Sequence, residues 1–356
     1  MSETTTIRVG IIGYGLSGRV FHAPFVATNP SFSLEVIATG NPDRQADARA
    51  THPGADIVAS PEELLARAGD LDLVVLASPP QAHLAQGIAA LEAGAAVVVD
   101  KPFVPTVLDA KKLIGKSEET GNGLFVFQNR RWDGDFLTVK KLVDSGALGT
   151  VHRFESTFER WGSPKTGLWQ ETTPISEGAG ITFDLGSHLI DQALHLFGPA
   201  TVEQAELTIV RWGVSEDDSF ISLLHTNGVR SHLTMSRAAA QSGPRFRVLG
   251  SENGYSVNGL DNQEPALKLK NWPGSDGYGI TPESEWGTLG IDGSAAGLAP
   301  YPTENGAYPE FYAGVAASIL HGAPSPVDPR DSLEVVRIIE RAHEIATKAQ
   351  QLPTIG

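Results

Sequence analysis

Up to about residue 127 the chain alternates short, nearly continuous apolar runs with segments of helical period. The runs fall at Ile7–Ile12 and at 34–39, 56–59, 73–77, 96–99 and 124–127. Runs this short and this apolar read as strands buried on both faces, the habit of parallel sheets. Helix signals lie between them. Ser60-Pro61-Glu62-Glu63 carries a capping box with Pro at the first helical position, and the segment 81–93 stops at Gly94. Strand and helix in alternation predict right-handed crossovers and an α/β, doubly wound parallel sheet.

After about residue 125 the pattern changes. Residues 220–225 and 229–236 alternate apolar and polar around Asn227-Gly228, a hairpin signal that suits a two-residue turn. Residues 151–159, 202–211 and 245–249 also read as strands. The expectation is an α+β domain with a mostly antiparallel sheet, helices on one face and the other face open. Residues 271–306 are rich in Gly and Pro without a period, and read as a functional loop or an arm. Two helices follow, near 310–321 and 332–350. The predicted domains are therefore 1–127 and 128–356, with the last helix free to pack back on the first domain. An open sheet face with apolar residues would be an interaction surface, which predicts a homo-dimer or homo-tetramer.

Composition narrows the chemistry. Lys plus Arg is 27 and Asp plus Glu is 42, a formal charge of −15, which argues against nucleic acid as the main partner. Backbone amides still bind a phosphate-bearing cofactor without net positive charge. There is no Cys, so thiol nucleophiles, disulfides and Cys-ligated metals are excluded. No signal-peptide pattern opens the chain and no stretch approaches a membrane span, so the expectation is a cytoplasmic protein.

Ile7–Ile12 runs directly into Gly13-Tyr14-Gly15-Leu16-Ser17-Gly18 and then a helical stretch. In G-x-G-x-x-G the first Gly permits the tight turn and the second lets the backbone approach a pyrophosphate. The third lets helix and strand pack closely. The helix N-terminus offers unpaired N–H groups to phosphate. The turn alone does not choose among nucleotide cofactors. The next strand helps, because an acid near its end would bind the ribose 2′-OH of NAD. Thr39 stands there instead, with Asn41 and Arg44 following. This favours NADP, with NAD as the alternative. The competing reading makes Asn41 a helix cap and Arg44 a solvated cation.

Residues 96–99 lead into Asp100-Lys101-Pro102, and a Lys at the C-terminal end of a parallel strand lies where open α/β sheets bind ligands. Further on, Asp184, His188, Asp191 and His195 fall within about 60° of one another on a helix. Leu185, Leu189, Ala193, Leu196 and Phe197 take the opposite arc. The stripe reads either as a carboxylate–imidazole site or as a solvated polar face. It lacks an obvious third ligand for a metal.

The glycine turn, the Lys-Pro after the fifth strand and Gly178-Ala179-Gly180…Asp184-x-x-x-His188 together resemble the glucose–fructose oxidoreductase, inositol dehydrogenase and rhizopine-catabolism (Gfo/Idh/MocA) family over nearly the whole chain. Tyr14–Gly18, Phe21-His22-Ala23-Pro24, Asn129-Arg130-Arg131-Trp132-Asp133 and Asp184–His188 resemble the subgroup that includes NADP-dependent scyllo-inositol dehydrogenases. Asp100 departs from the usual Glu before Lys-Pro, and Ala179 interrupts the usual Gly-Gly. The resemblance implies a Rossmann domain, an open-faced α/β domain and a site between them. It maps the family's catalytic set onto Lys101, Asp184 and His188, with a polyol, cyclitol or sugar as substrate. His188 suits the base that takes the hydroxyl proton, Asp184 its orientation, and Lys101 the reacting oxygen.

Further residues are candidates from their positions in the chain. Ser78, Pro79 and His83 fall in the family's cofactor loop. Asn129, Arg131 and Trp132 line the nicotinamide and substrate side or simply link the domains. Trp161 and Trp169 wall a sugar ring or pack. His22 reads as structural. The alternatives are an NAD-preferring aldose dehydrogenase and a non-catalytic nucleotide-binding regulator, which would not need Lys101, Asp184 and His188 together.

Overall fold

A computed structural model describes residues 6–162, 172–211 and 213–349. The chain forms two compact units. The first holds residues up to Asn129 together with Gln263–Tyr278 and Tyr308–Leu333. Its six strands are β1 (Ile7–Ile12), β2 (Phe32–Ala38), β3 (Asp56–Val58), β4 (Leu73–Leu76), β5 (Ala96–Val99) and β6 (Leu124–Val126). They lie in the order β3-β2-β1-β4-β5-β6, every pair parallel. That is the doubly wound order whose strand C-termini carry dinucleotides. Every residue of β4 and β5 is buried, as continuous apolar runs require. The Ser60 hydroxyl accepts the Glu63 N–H at the start of the Pro61–Leu65 helix. Gly94 takes φ +100°, left-handed backbone that ends the Pro80–Glu92 helix.

The domain division differs from the predicted break at 127/128. Residues 263–278 and 308–333 return to the first unit. Aromatic burial explains the return. Tyr312 lies 6.1 Å from Phe25 and 5.7 Å from Phe32, and Phe311 lies 4.9 Å from Phe127. Trp272 stacks on His52 at 6.2 Å. The helix that packs on the parallel sheet's unit is thus Pro309–His321, not the last one. The final helix, Pro329–Ala349, gives Val335, Ile338, Ile339 and Ala342 to the second unit's core.

The second unit contains β7 (Val151–Glu159), β8 (Ala200–Thr208), β9 (Asp218–His225), β10 (Arg230–Ser236), β11 (Phe246–Gly250), β12 (Gly254–Val257), β13 (Gly287–Gly290) and β14 (Leu298–Tyr301). Their order is β14-β13-β12-β11-β7-β10-β9-β8. The sheet is antiparallel except at β7 and β10, which run parallel. Three strands, β12 to β14, were not expected. β13 and β14 come from the supposed loop at 271–306, where Gly and Pro are tolerated because both strands sit at or next to the sheet edge. The hairpin at Asn227-Gly228 also differs. His225 closes on Val229, which leaves three turn residues, with Gly228 left-handed at φ +89°.

One sheet face is buried through Phe154, Phe158, Ile221, Leu233, Met235, Phe246 and Val248. The other face is mixed, with Phe220, Leu224 and Leu249 partly exposed on it beside charged residues. It presents Arg153, Glu155 and Thr157 on β7, and Arg247 Nη1 donates to Glu155 Oε1 across the strands at 3.1 Å.

Candidate functional site

The glycine turn is built as its sequence demands. Gly13 has φ +98°, and a Cβ there would stand 2.5 Å from the Ala77 carbonyl oxygen. A Cβ on Gly18 would collide with the Gly13 carbonyl oxygen. Gly15 differs: a Cβ on it would meet only Arg44 Nη1, at 3.6 Å. The turn is therefore closed at its first and third glycines and open at the second, where a pyrophosphate needs to approach. This cradle fits a dinucleotide. Leu16 is exposed, while Tyr14 turns inward, its ring 6.0 Å from His52 edge-on. Burial, with Asp47 nearby, pushes the Tyr14 phenol up to about 12. Tyr14 thus presents backbone rather than hydroxyl to the cradle.

Thr39 follows β2 and is buried, its carbonyl accepting Gln45 Nε2 at 2.8 Å. Asn41 caps the Pro42–Thr51 helix by accepting the Arg44 N–H at 3.0 Å. The capping reading of Asn41 is the one seen. The cap starts the helix so that the Arg44 side chain comes against Gly15. Arg44 is exposed, and among the described residues it has no carboxylate partner.

The ends of β4 and β5 are joined by one imidazole. His83 is fully buried, with Nδ1 2.9 Å from the Phe103 carbonyl and Nε2 2.9 Å from the Ser78 carbonyl. Burial pushes this imidazole below its ordinary range, against the pull of those carbonyls. His83 therefore braces the loops bearing Ser78 and Lys101 and keeps its ring nitrogens inside. Ser78 Oγ donates to Gln86 Oε1 at 2.6 Å, and Pro79 occupies the N-cap of the Pro80–Glu92 helix. Lys101 is half-buried, and its N–H donates to Asp100 Oδ1 at 2.7 Å. Burial alone would raise the Asp100 carboxyl, but the neighbouring His22 holds it below the usual carboxylate range.

In the second unit Asp184 sits in a widened turn, Thr182–Gly186, that leads into the Ser187–Phe197 helix. Arg237 Nη2 donates to Asp184 Oδ2 at 2.8 Å, and Arg160 Nη2 lies 3.6 Å from the same oxygen. His188 is buried one turn on. The rest of the predicted polar stripe divides. Asp191 is buried and receives Arg131 Nε and Nη2 at 2.8 and 2.7 Å, whereas His195 is exposed. Arg131, expected near substrate, thus gives two nitrogens to a buried strut.

Asn129 is buried and Trp132 half-buried on a single helical turn, Asn129–Trp132. Trp161 is 61% exposed, and the Arg211 guanidinium lies 3.8 Å over its ring. Trp169 lies outside the described residues. A groove of about 510 Å³ on the open sheet face, lined by His152, Arg247, Tyr255, Thr288 and Asp292 among others, contains none of the predicted site residues.

Arg160 and Arg237 were not singled out from sequence. Each follows a strand directly, and those strands end on register partners, Glu159 of β7 and Ser236 of β10. Parallel pairing brings the two arginines to one sheet end, and only knowledge of that pairing would have revealed them.

Residues 7–128 match an oxidoreductase family with an NAD-binding Rossmann fold, and residues 136–256 match the GFO/IDH/MocA C-terminal domain. Over 343 residues the chain is 34% identical to scyllo-inositol 2-dehydrogenase (NADP(+)) of Bacillus subtilis, covering 96% of this chain and 94% of that one. It is 35% identical over 347 residues to an oxidoreductase of Escherichia coli, covering 96% of both. A solved oxidoreductase structure from Bacillus subtilis superposes with a TM-score of 0.91 at 32% identity, covering 98% of this chain and 99% of that one. With the open glycine cradle, these likenesses show that the chain belongs to the Gfo/Idh/MocA family of NAD(P)-dependent oxidoreductases.

Proposed function

We propose that the protein is an NADP-preferring dehydrogenase or reductase acting on a secondary alcohol or ketone of a cyclitol or sugar. Arg44 carries the cofactor preference. An exposed guanidinium without a carboxylate partner stands against Gly15, and Thr39 replaces the acid that would repel a 2′-phosphate. The NADP-dependent scyllo-inositol relative supports the substrate class.

When bound, the nicotinamide supplies the acceptor or donor of hydride. The protein's part is to position the alcohol and manage its proton. In this reading the His188 imidazole takes the hydroxyl proton on oxidation and returns it on reduction. Asp184, fixed by Arg237, orients the imidazole or the substrate hydroxyl. The Lys101 ammonium holds the reacting oxygen and stabilises the charge that develops there.

Initial rates on a panel of cyclitols and aldoses, taken separately with NADP and NAD, test the reading. The wild type is expected to favour NADP. Arg44→Ala is expected to raise KM for NADP by about 10- to 100-fold, the cost of losing charge-assisted hydrogen bonds to phosphate, and to change KM for NAD by less than about 2-fold. A wild type that uses NAD as well as NADP overturns the preference.

A further inference from the structure

His22 is fully buried in the first unit, behind the glycine turn, and packs its ring 4.4 Å from Phe127. Its Nδ1 lies 2.7 Å from the Tyr312 hydroxyl. Its Nε2 makes no hydrogen bond and lies 3.8 Å from Asp100 Oδ1. The same Oδ1 accepts the Lys101 N–H. Tyr312, from the returning helix, is itself completely buried, and burial together with Asp100 keeps its phenol protonated far above ordinary pH. A buried phenol that cannot ionise must donate its proton, and Nδ1 is the acceptor in reach. An imidazole that accepts at Nδ1 carries its proton at Nε2, toward Asp100.

We propose that Tyr312 and His22 are positioning residues for Lys101: Tyr312 sets the tautomer, and the His22 Nε2–H restrains the Asp100 carboxylate that fixes the Lys101 backbone. The inference rests on the reading in which Lys101 holds the reacting oxygen. It assigns a task to a histidine whose sequence context suggested only packing. It also explains why the Pro309–His321 helix belongs to the nucleotide-binding unit, since that helix brings the hydroxyl on which the tautomer depends. His83 braces the same segment from its other end, at Phe103.

The test uses the full-length enzyme with Lys101→Ala, Tyr312→Phe, His22→Gln and His22→Asn. Turnover, KM, NADPH affinity by fluorescence quenching and melting temperature are measured for each. Tyr312→Phe removes one hydroxyl and is expected to lower kcat about 10-fold, the scale of a small misplacement, with NADPH affinity within about 2-fold of wild type. A Gln amide reaches the Nε2 position and an Asn amide the Nδ1 position, so His22→Gln is expected to retain more kcat than His22→Asn. Selective ¹⁵N-lysine labelling gives a readout independent of turnover. The Lys101 amide resonance, assigned by its loss in Lys101→Arg, is expected to move in Tyr312→Phe.

Lys101→Ala with wild-type turnover removes the role of Lys101 and the inference with it. Loss of turnover in Lys101→Ala beside an unchanged kcat and an unmoved Lys101 resonance in Tyr312→Phe overturns the inference alone. Losses at positions 22 and 312 that follow melting temperature only would reduce the pair to packing, and also overturn it.

Discussion

Arg131 and Asp191 show what spacing alone conveys about a residue. Helical period places Asp191 one turn beyond His188, and the structure keeps both on the Ser187–Phe197 helix. Period does not say what lies opposite. The arc read as a site or a solvated face is interior at His188 and Asp191 and exposed at His195. A carboxylate there needs a partner, and Arg131 supplies a bidentate one. Breaking a buried ion pair from one side leaves an uncompensated charge, which costs about 3–5 kcal/mol. Asp191→Ala is therefore expected to lose that much stability in urea-induced unfolding. A loss below about 1 kcal/mol, the value of an exposed pair, would contradict the buried-strut reading. The glycine turn was legible from its spacing, although only the Gly18 contact with the Gly13 carbonyl is local, and the crowding of Gly13 comes from Ala77. Arg160 and Arg237 were not, because their closeness depends on a pairing between strands about 70 residues apart in sequence.

At the scale of elements, all six strands of the parallel sheet were legible, the central β1, β4 and β5 most plainly because buried parallel strands are written as apolar runs. The short strands β13 and β14 were not, because they sit at or next to the edge and carry Gly and Pro, and β12 is only four residues long. The turn carrying Asp184 is held by a contact equally invisible to local pattern. Gly180, at φ +100°, leaves no room for a Cβ against the Glu216 carboxylate, which accepts the Thr182 N–H at 3.2 Å. His343 on the last helix places Nε2 3.4 Å from Glu216 Oε1 and Nδ1 2.9 Å from the Ile339 carbonyl. Burial would lower this imidazole, but Glu216 outweighs it and raises the group above its ordinary value of 6.5. A raised folded-state value sets the sign. The stabilisation is complete below pH 6.5 and is lost as pH rises through the folded-state value. Melting temperature is expected to fall over that window, and Glu216→Gln to flatten the fall. An NMR titration that puts His343 below 6.5 would reverse the sign and refute the argument.

For the whole molecule, alternating pattern placed the change from parallel to mostly antiparallel sheet near residue 127, while the first compact unit runs to Asn129 and also takes in 263–278 and 308–333. The return of 263–278 and 308–333 was hidden because helices such as Pro309–His321 look alike in sequence whichever core they join. Their destination is set by Phe25, Phe32 and Phe127, hundreds of residues away. No described helix is long and apolar enough to cross a membrane. We propose a hydride transfer whose proton passes through His188. Its most direct test is the rate of NADPH formation from scyllo-inositol and related polyols by the wild type and by His188→Ala. Turnover by the wild type is expected, with kcat lower by about 10²–10⁴ in the variant and the protein still folded and binding NADP. Equal turnover by the two proteins would contradict it.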